Sequence, residues 1–408
     1  MTTRTEGSLT EPSVFVERAQ AIANSLHERQ AETEERTYYA PDTHEELRDA
    51  GLYRLLVPRR HGGHEVDVGT FFQVVLTLTR ACPSTGWMYC LGAAHALPAA
   101  TLFGERAQRE MFAGGDFVCP NTVMPSGVAK RLPHGGWRIE GTWKYCSGAP
   151  YATHFMGHAL WHPPTGEQPV TLLFVAPRES WVRLDDWGDQ LGLRGSGSHS
   201  IRMEGADLPE HLVLKTHLSQ GRVSTDTPGN LLHENPQYRG GPLSFMLIES
   251  AVLAVGMAQS ALDAYEVLMR ERTTSFPPIV PRYQDPDHQY WYGEAAGMIA
   301  AAEAALSHSI TRWREACERG PGTFTQEFEW RIATICREVA RASWRAVQSH
   351  LFPKAGSSAV RHGERVERVW RDMSTMRSHA GFSTVLESMA SREFTRARFL
   401  GEIDHENA

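Results

Sequence analysis

Apolar side chains recur with the helical period through the first part of the chain. Residues 11–36 place valine, alanine, isoleucine and leucine one turn apart among charged side chains, which predicts an amphipathic helix. Thr43 and Glu46 have the spacing of a capping box and Gly51 that of a helix stop, so residues 43–50 are predicted as a second helix. Further helices are predicted over residues 70–81, 83–97 and 103–112. Residues 1–115 are therefore predicted to form an N-terminal α-helical domain.

The period changes to two in the middle of the chain. Residues 137–145 alternate apolar and polar side chains, as in a strand with one buried face. Residues 169–175, 181–184 and 199–203 are also rich in β-forming side chains, and glycine and proline pairs separate these runs. We predict a small antiparallel β domain over residues 116–220.

Long helical segments follow a connection that is rich in glycine, proline and asparagine. They are predicted over residues 243–272, 289–319, 323–351 and 366–400. Short polar joints between helices of this length favour an antiparallel four-helix bundle, which would form a C-terminal domain over residues 221–408. The predicted fold class is α+β, with a helical domain, a β domain and a four-helix bundle in that order.

Composition favours a globular protein with a large core and excludes several classes of function. Of the 408 residues 41% are hydrophobic and 22% are charged, and the net charge is −7 with Lys and Arg scattered along the chain. No basic cluster indicates a nucleic-acid or membrane-surface partner. The six cysteines form no Cys-x-x-Cys pair, the N-terminus has no signal-peptide pattern, and no apolar run approaches about 18 residues. We expect a cytoplasmic protein without a membrane-spanning segment.

Two histidine patterns could carry chemistry. Asp372 and His379 are seven residues apart and would share one face of a helix, and the alternative is a histidine that caps a helix end. His154, His158 and His162 recur every four residues, as on a metal-binding helix face, but apolar residues alternate with them. A strand with outward histidines is favoured over a metal site, and no metal is predicted.

Four short motifs, in this order along the chain, resemble the acyl-CoA dehydrogenase superfamily. They are Gly51–Pro58, Gly141–Gly148, Gly192–His199 and the pair Arg371-Asp372. The resemblance implies the succession of helical, β and helical-bundle domains, and it implies that the two middle motifs line a flavin. Arg371 and Asp372 are expected to form a structural ion pair.

Residues that differ between branches of this superfamily favour a monooxygenase. Ala380 occupies the position at which many of the dehydrogenases carry a Glu base, and alanine cannot take a proton. Glu249 is the candidate for a relocated base, although a helix-face carboxylate paired with a neighbour is favoured. Residues 81–87 (Ala-Cys-Pro-Ser-Thr-Gly-Trp) and 378–380 (Ser-His-Ala) resemble the oxygenase components of two-component flavin monooxygenases, such as the p-hydroxyphenylacetate hydroxylases.

That resemblance implies a reaction and its partners. A separate flavin reductase would supply reduced flavin, FMNH2 or FADH2, and O2 would add to it as a C4a-hydroperoxide. One oxygen atom would then pass to a small aromatic or phenolic substrate. A homotetramer with flavin sites at subunit contacts is also implied. The alternatives are an N-oxygenase similar to the nitrososynthases, an acyl-CoA dehydrogenase with a relocated base, and a helical scaffold without catalytic activity.

The resemblance also assigns roles to individual residues. The catalytic residues would be His379 beside the flavin, His95 facing the substrate, and Ser147 hydrogen-bonded to the flavin. Trp87 would form an apolar wall, and His95 is predicted on the same helix. Without the resemblance, core packing explains Trp87 and His95, and a turn serine explains Ser147.

A second set of residues is assigned to the flavin edge and its phosphate. The ring edge would be contacted by Asn121 and Thr122, and the phosphate by Arg270, Arg272, Gly356, Ser357 and Ser358. Backbone N–H groups, hydroxyls and guanidinium groups are the donors that phosphate oxygens accept. The alternative for the two arginines is a solvated helix end, where the helix dipole favours cations.

Overall fold

A computed structural model describes residues 12–220, 226–320 and 322–401 of the chain. Its N-terminal part is helical, as predicted, with α1 (Pro12–Leu26), α2 (Gln30–Arg36), α3 (Pro41–Asp49), α4 (Val68–Ala81), α5 (Pro83–Ala93), α6 (Ala96–Leu102) and α7 (Glu105–Met111). The helix predicted over residues 11–36 is divided into α1 and α2, and residue 11 lies outside the described part.

The predicted capping box of α3 is wrong, whereas the predicted stop after that helix is confirmed. Helix α3 begins at Pro41, so Thr43 lies inside its first turn and is buried. Proline favours the first helical position because its φ is already helical and its missing N–H needs no partner there. Gly51 follows the helix with a φ of 76°, which is the left-handed conformation that favours glycine.

The central region is a seven-stranded sheet that is mixed rather than antiparallel. Its strands are β1 (Gly127–Arg131), β2 (Trp137–Trp143), β3 (His154–Trp161), β4 (Val170–Pro177), β5 (Val182–Arg183), β6 (Ile201–Leu208) and β7 (Val213–Leu214), in the order β5-β6-β2-β1-β3-β4-β7. Strands β1 and β3 run parallel, and the other neighbouring strands are antiparallel. Residues 144–153 carry the chain across the sheet to the far side of β1, so β3 cannot pair with β2 as a hairpin partner.

The histidines of β3 do not all point outwards, so that part of the prediction is wrong. His158 is fully buried: its Nδ1 donates to Thr122 O at 2.8 Å, and its Nε2 accepts from Leu218 N at 3.0 Å. Burial lowers its pKa to about 3. His158 is therefore a neutral histidine that ties β3 to two neighbouring loops.

The C-terminal part consists of α8 (Pro228–His233), α9 (Pro242–Glu271), α10 (Pro286–Arg319), α11 (Gln326–Arg345), α12 (Arg365–Ser378) and α13 (Ala390–Leu400). Helix α9 packs against α4, α10, α11 and α12 and so forms the centre of this region. The helix predicted over residues 366–400 is interrupted after α12, where a π-helical segment, Gly381–Met389, leads to α13. That interruption lies at His379.

Helix α9 also corrects the expectation that no apolar segment approaches the length of a membrane span. It is the one helix in the described residues that is long and apolar enough to cross a membrane by length and composition. However, 83% of its most apolar window is buried inside the protein. Burial of that kind is typical of the core helix of a folded domain.

Candidate active site

Trp87 and Ser147 meet where α5 packs against the turn that follows β2. Trp87 is 3% exposed, and its indole Nε1 donates a hydrogen bond to Ser147 Oγ at 2.9 Å. The turn approaches the helix closely because Gly148 has a φ of 96°, and a Cβ there would lie 3.4 Å from Gly92 Cα. The sequence motif that contains Ser147 is thus fixed against the helix that carries Trp87.

Ser147 is one end of a buried row of hydroxyl groups. Its Oγ lies 2.7 Å from Ser198 Oγ, which lies 2.7 Å from Ser196 Oγ. A serine hydroxyl has one donor and two acceptor positions. When Ser147 accepts from Trp87 and from Ser198, its own proton is available to a bound molecule. Ser196 and Ser198 were missed as site residues, although the Gly192–His199 motif contains them.

His379 lies at the break that ends α12. Its backbone is extended, with φ −64° and ψ 139°, and its ring centroid is 5.4 Å from that of Trp87 at an interplanar angle of 82°. The Phe382 ring lies 6.4 Å from both rings. Two sequence-predicted residues and one that was not predicted therefore form a single aromatic wall.

His379 is neutral near pH 7 and has a defined tautomer. Its Nδ1 accepts the backbone N–H of Gly381 at 3.2 Å, so the ring proton is on Nε2. The surrounding protein desolvates the ring and lowers its pKa to about 4, although the residue is exposed to solvent. His379 therefore lies at the solvent-facing edge of a group whose other members, Trp87, Ser147 and Phe382, are buried. We call the surface formed by Trp87, Ser147, His379 and Phe382 the aromatic cleft.

Buried polar contacts fix α12, which carries His379 at its end. Asp372 is 1% exposed and accepts the backbone N–H of Leu193 at 2.5 Å, while burial raises its pKa to about 7. Arg371 pairs with Glu34 at 2.9 Å and with Glu367 at 2.5 Å. The predicted ion pair between Arg371 and Asp372 is wrong, because adjacent side chains leave a helix about 100° apart and reach different partners.

His95 is not on α5, contrary to the prediction that it shares a helix with Trp87. It is the residue that precedes α6. Pro98 has no N–H to donate to the carbonyl group four residues before it, so α5 does not continue through this point. His95 is buried, its Nδ1 donates to Cys119 O at 2.7 Å, and burial lowers its pKa to about 4. This bond ties His95 to the segment that leads to Asn121.

Asn121 and Thr122 lie beside β3 and carry unpaired polar atoms. Asn121 forms an isolated parallel bridge with Met156, and its Nδ2 is 3.9 Å from Met246 Sδ on α9. Within the described residues, Asn121 Oδ1 and Thr122 Oγ1 are buried without hydrogen-bond partners. Because buried polar atoms usually have partners, these two indicate a place for a bound molecule.

Glu249 on α9 is a buried carboxyl group, and the prediction of a helix-face carboxylate paired with a neighbour is wrong. It is 2% exposed, and its Oε1 has no hydrogen-bond partner in the part of the chain that is described. Burial raises its pKa well above the usual value, because an apolar interior favours the protonated form of a carboxyl group. In that state it is a hydrogen-bond donor rather than a base.

The arginines predicted to bind the flavin phosphate lie at the other end of α9. Arg272 donates to Ser358 Oγ, whereas the exposed Arg270 pairs with Glu266 at 2.6 Å. With a rise of about 1.5 Å per residue, Arg272 is roughly 39 Å from Met246 along the helix. One subunit therefore does not bring these arginines to the aromatic cleft.

A buried arginine that the sequence did not single out completes this second region. Arg282 is 6% exposed and donates to Ala355 O at 2.9 Å. Gly356 has a φ of 91°, and a Cβ there would lie 3.0 Å from Arg282 Nη2, so the loop needs glycine at this point. No motif marks Arg282 in the sequence. We call the basic cluster the set formed by Arg272, Arg282, Gly356, Ser357 and Ser358.

A separate cleft of about 330 Å³ lies between α3, α7 and the start of β3. Its lining includes His44, Asp116, Tyr151 and His154. None of the residues predicted for the site line this cleft, so it is distinct from the aromatic cleft.

The aromatic cleft and the residues beside it fit a flavin ring. Such a ring needs flat apolar neighbours and partners for its nitrogen and oxygen atoms. Trp87 and Phe382 offer rings inclined by 26° to each other. The Ser147 hydroxyl, the Nε2–H of His379 and the unpaired oxygen of Asn121 offer the polar partners. In the described ranges no group of three or more His, Cys, Asp or Glu could hold a metal ion.

Comparison with protein families places both helical regions in one superfamily. Residues 13–114 match the acyl-CoA dehydrogenase N-terminal domain, and residues 248–384 match the acyl-CoA dehydrogenase C-terminal domain. The order of the two matches along the chain is the order that the sequence motifs predicted.

Individual relatives are similar over nearly the whole chain. The flavin-dependent monooxygenase oxygenase subunit HsaA of Rhodococcus jostii (strain RHA1) is 30% identical over 376 residues, which cover 90% of this chain and 94% of that protein. The FADH(2)-dependent resorcinol hydroxylase oxygenase component of a Rhizobium species is 26% identical and covers 91% of each chain.

Solved structures have the same fold. The 3-HSA hydroxylase of a Rhodococcus species superimposes with a TM-score of 0.83 at 25% identity, over 95% of this chain and 97% of that one. XiaF from a Streptomyces species, in complex with FADH2 and glycerol, gives a TM-score of 0.85 at 24% identity over 95% of both chains. The chain therefore belongs to the oxygenase components of flavin-dependent monooxygenases that have the acyl-CoA dehydrogenase fold.

Proposed function

We propose that this oxygenase component accepts FMNH2 or FADH2 from a separate reductase and uses O2 to hydroxylate a small aromatic substrate. The observation that carries the proposal is the aromatic cleft, in which a neutral His379 lies 5.4 Å from Trp87 beside the Ser147 hydroxyl. Relatives named for resorcinol hydroxylation and for indole-3-acetate monooxygenation support an aromatic substrate. A dependence on FADH2 in one of these names supports a flavin that arrives reduced.

The residues of the aromatic cleft have separate tasks in this proposal. The bound flavin supplies oxygen activation and the transfer of one oxygen atom. Trp87 and Phe382 exclude water from its surroundings, which protects reactive species from hydrolysis. Ser147 donates its free proton to the flavin, and His379 donates from Nε2 to oxygen atoms beside the ring. Because His379 has a pKa of about 4, it acts as a neutral donor near pH 7.

We assign the remaining predicted residues to the flavin edge and the substrate. Asn121 and Thr122 contact the ring edge, since their unpaired oxygens need partners. His95 faces the substrate. Its Nδ1 proton is held by Cys119 O, which leaves Nε2 as an acceptor. With a pKa of about 4 it accepts a hydrogen bond from a phenol, whose own pKa is about 10, without removing the proton.

The basic cluster is proposed to bind the phosphate of a flavin held mainly by a neighbouring subunit of a homotetramer. Its separation of roughly 39 Å from Met246 along α9 favours two subunits over one. Exposed apolar side chains near the same helix end, Val267, Phe276, Ile279, Tyr283 and Tyr290, support a subunit contact there. Of the two predicted arginines, Arg272 is assigned to the phosphate and Arg270 is not. Sedimentation of the protein as a monomer would contradict this assignment.

Domain boundaries, a helical bundle and a cellular location are also proposed for this chain. We infer domains over residues 1–115, 116–220 and 221–408, and a four-helix bundle within the third. We also infer a cytoplasmic location, which is supported by six cysteines that are all free and buried.

The test uses the His379→Ala variant and oxygen-18. The wild-type protein is mixed anaerobically with FADH2 or FMNH2, then with oxygen-18 gas and either resorcinol or indole, and products are analysed by mass spectrometry. We expect one labelled oxygen atom on the aromatic ring. The His379→Ala variant should still bind flavin but should release hydrogen peroxide in place of most of the hydroxylated product, because the Nε2–H donor is lost.

The control is His308→Ala, which removes an exposed histidine of α10. It should leave product formation unchanged. If the His379→Ala variant formed as much hydroxylated product per oxygen molecule consumed as the wild type, His379 would have only a structural role. Oxygenation of an amine instead of an aromatic ring would indicate an N-oxygenase, and reduction of bound flavin by an acyl-CoA would indicate a dehydrogenase. Absence of flavin binding would indicate a scaffold.

A further inference from the structure

Glu249 has no structural task that explains its burial. It lies about two turns from the start of α9, is 2% exposed, and has an unpaired Oε1 within the described residues. An unpaired carboxyl group in an apolar interior lowers stability, even when it is protonated. A residue that costs stability without a local contact is typical of a functional position.

The neighbours of Glu249 place it at the edge of the candidate active site. Met246, one turn earlier on α9, reaches to 3.9 Å from the Asn121 amide. On the next residue, Ser250 Oγ lies 3.7 Å from where a Cβ of Gly381 would be. Gly381 in turn is the hydrogen-bond donor to His379. Met246 and Ser250, which flank Glu249 on α9, therefore lie close to residues assigned to the flavin site.

Helix α9 also packs against α5 in this region. Cys90 on α5 is fully buried, and Glu249 is near enough to interact with it electrostatically. Cys90 lies one helical turn after Trp87. Glu249 thus occupies the junction between α9 and α5, next to the helix that forms the wall of the aromatic cleft.

We infer that Glu249 is a specificity-determining residue, whose protonated carboxyl group donates a hydrogen bond to the oxygen atom of a phenolic substrate. The inference rests on the proposed hydroxylase function. A neutral carboxylic acid has one O–H to donate, whereas an ionised carboxylate only accepts and repels a phenolate. Most of the surrounding wall is apolar, so one donor at this point orients a ring that otherwise makes only apolar contacts.

The test compares Glu249→Leu, Glu249→Gln and the wild type, each loaded with reduced flavin under anaerobic conditions. The dissociation constants of resorcinol and of indole, which has no oxygen atom, are measured at equilibrium. We expect Glu249→Leu to weaken resorcinol binding about tenfold and to leave indole binding within about twofold. Glu249→Gln keeps an N–H donor and should stay within about threefold for resorcinol. The control Glu318→Leu, at an exposed position of α10, should change neither constant.

Two readouts separate this role from a structural one. Leucine removes the unpaired carboxyl group, so Glu249→Leu should be at least as stable to urea as the wild type. Infrared difference spectra, wild type minus Glu249→Gln, should contain the C=O band of a protonated carboxylic acid, and resorcinol should shift that band. A structural role predicts lower stability in Glu249→Leu and no shift with resorcinol.

The outcomes distinguish this inference from the proposed function. Equal weakening of resorcinol and indole binding, or a band that resorcinol does not move, would overturn the role of Glu249. A wild type that couples oxygen consumption to aromatic hydroxylation but does not bind resorcinol would overturn it as well, while leaving the proposed function in place. A wild type that does not bind reduced flavin would overturn both.

Discussion

Asp372 offers the most direct test of how burial organises this site. Its side chain is 1% exposed and accepts the Leu193 N–H at 2.5 Å, which ties α12 to the loop that carries Ser196 and Ser198. Asparagine at this position keeps the acceptor oxygen but has no ionisable proton. The Asp372→Asn substitution therefore separates the hydrogen bond from the charge.

The magnitude follows from the displaced pKa of the Asp372 carboxyl group. Burial raises that pKa from 3.8 to about 7, so the folded protein retains a proton that the unfolded chain has lost. The contribution of Asp372 to stability is complete below about pH 4 and is lost as the pH rises towards 7. Each pH unit in this window is worth about 1.4 kcal/mol, which gives about 3 kcal/mol between pH 5 and 7.

Urea unfolding followed by circular dichroism, at about pH 5 and about pH 8, measures this effect. The free energy of unfolding of Asp372→Asn minus that of the wild type should rise by about 3 kcal/mol between the two pH values. Other titrating groups are shared by both proteins and cancel in the difference. Asp372→Ala should be less stable than Asp372→Asn by about 1–3 kcal/mol, because the buried Leu193 N–H loses its acceptor. A difference between Asp372→Asn and wild type that does not change with pH would refute a protonated Asp372.

Two further predictions concern flavin binding and the hydroxyl row. Ser147→Ala should lower the free energy of unfolding by about 1–3 kcal/mol, because the buried Trp87 indole N–H loses its acceptor, and hydrogen peroxide release should increase. Ser196→Ala keeps the Trp87 bond and should lower stability by less, so equal losses in urea unfolding would contradict this reading. Arg272→Ala should weaken reduced-flavin binding about tenfold, measured by equilibrium titration, since a charged hydrogen bond to phosphate is lost. Arg270→Ala should change that affinity by less than about twofold, and similar effects in both variants would exclude the assignment to Arg272 alone.

Helices and most strands could be predicted from the sequence because their signals are local. The periodic apolar pattern predicted residues 243–272 as a helix, and α9 extends from Pro242 to Glu271. The pairing of β1 with β3 could not be predicted in this way. Strand direction in the sheet depends on where residues 144–153 cross, and no local pattern encodes that path.

The candidate site was predicted in part, and each departure has a physical reason. Trp87, Ser147 and His379 do lie together, as the motifs implied. The break that positions His379 was missed because residues 366–400 keep the apolar spacing of one helix. Arg282 was missed because it is distinguished only by its burial and its hydrogen bond to Ala355, which form when the chain folds and leave no pattern in the sequence.

The protonation of carboxyl groups at the candidate site also distinguishes the reaction of this chain from that of a dehydrogenase. That protonation depends on burial in the folded protein. Removal of a proton from carbon needs a base such as an ionised carboxylate, yet burial raises the pKa of the Glu249 carboxyl group well above its usual value and favours the neutral acid, which cannot take a proton. Neutral donors and acceptors in an apolar wall instead suit transfer of an oxygen atom, in which water must be excluded and the developing charge on oxygen needs a hydrogen bond. Position 380 carries alanine where many of the dehydrogenases carry a glutamate base, and burial of Glu249 disfavours the ionised form of a second carboxyl group. Both changes act in the same direction, towards a site without a carbon-acid base.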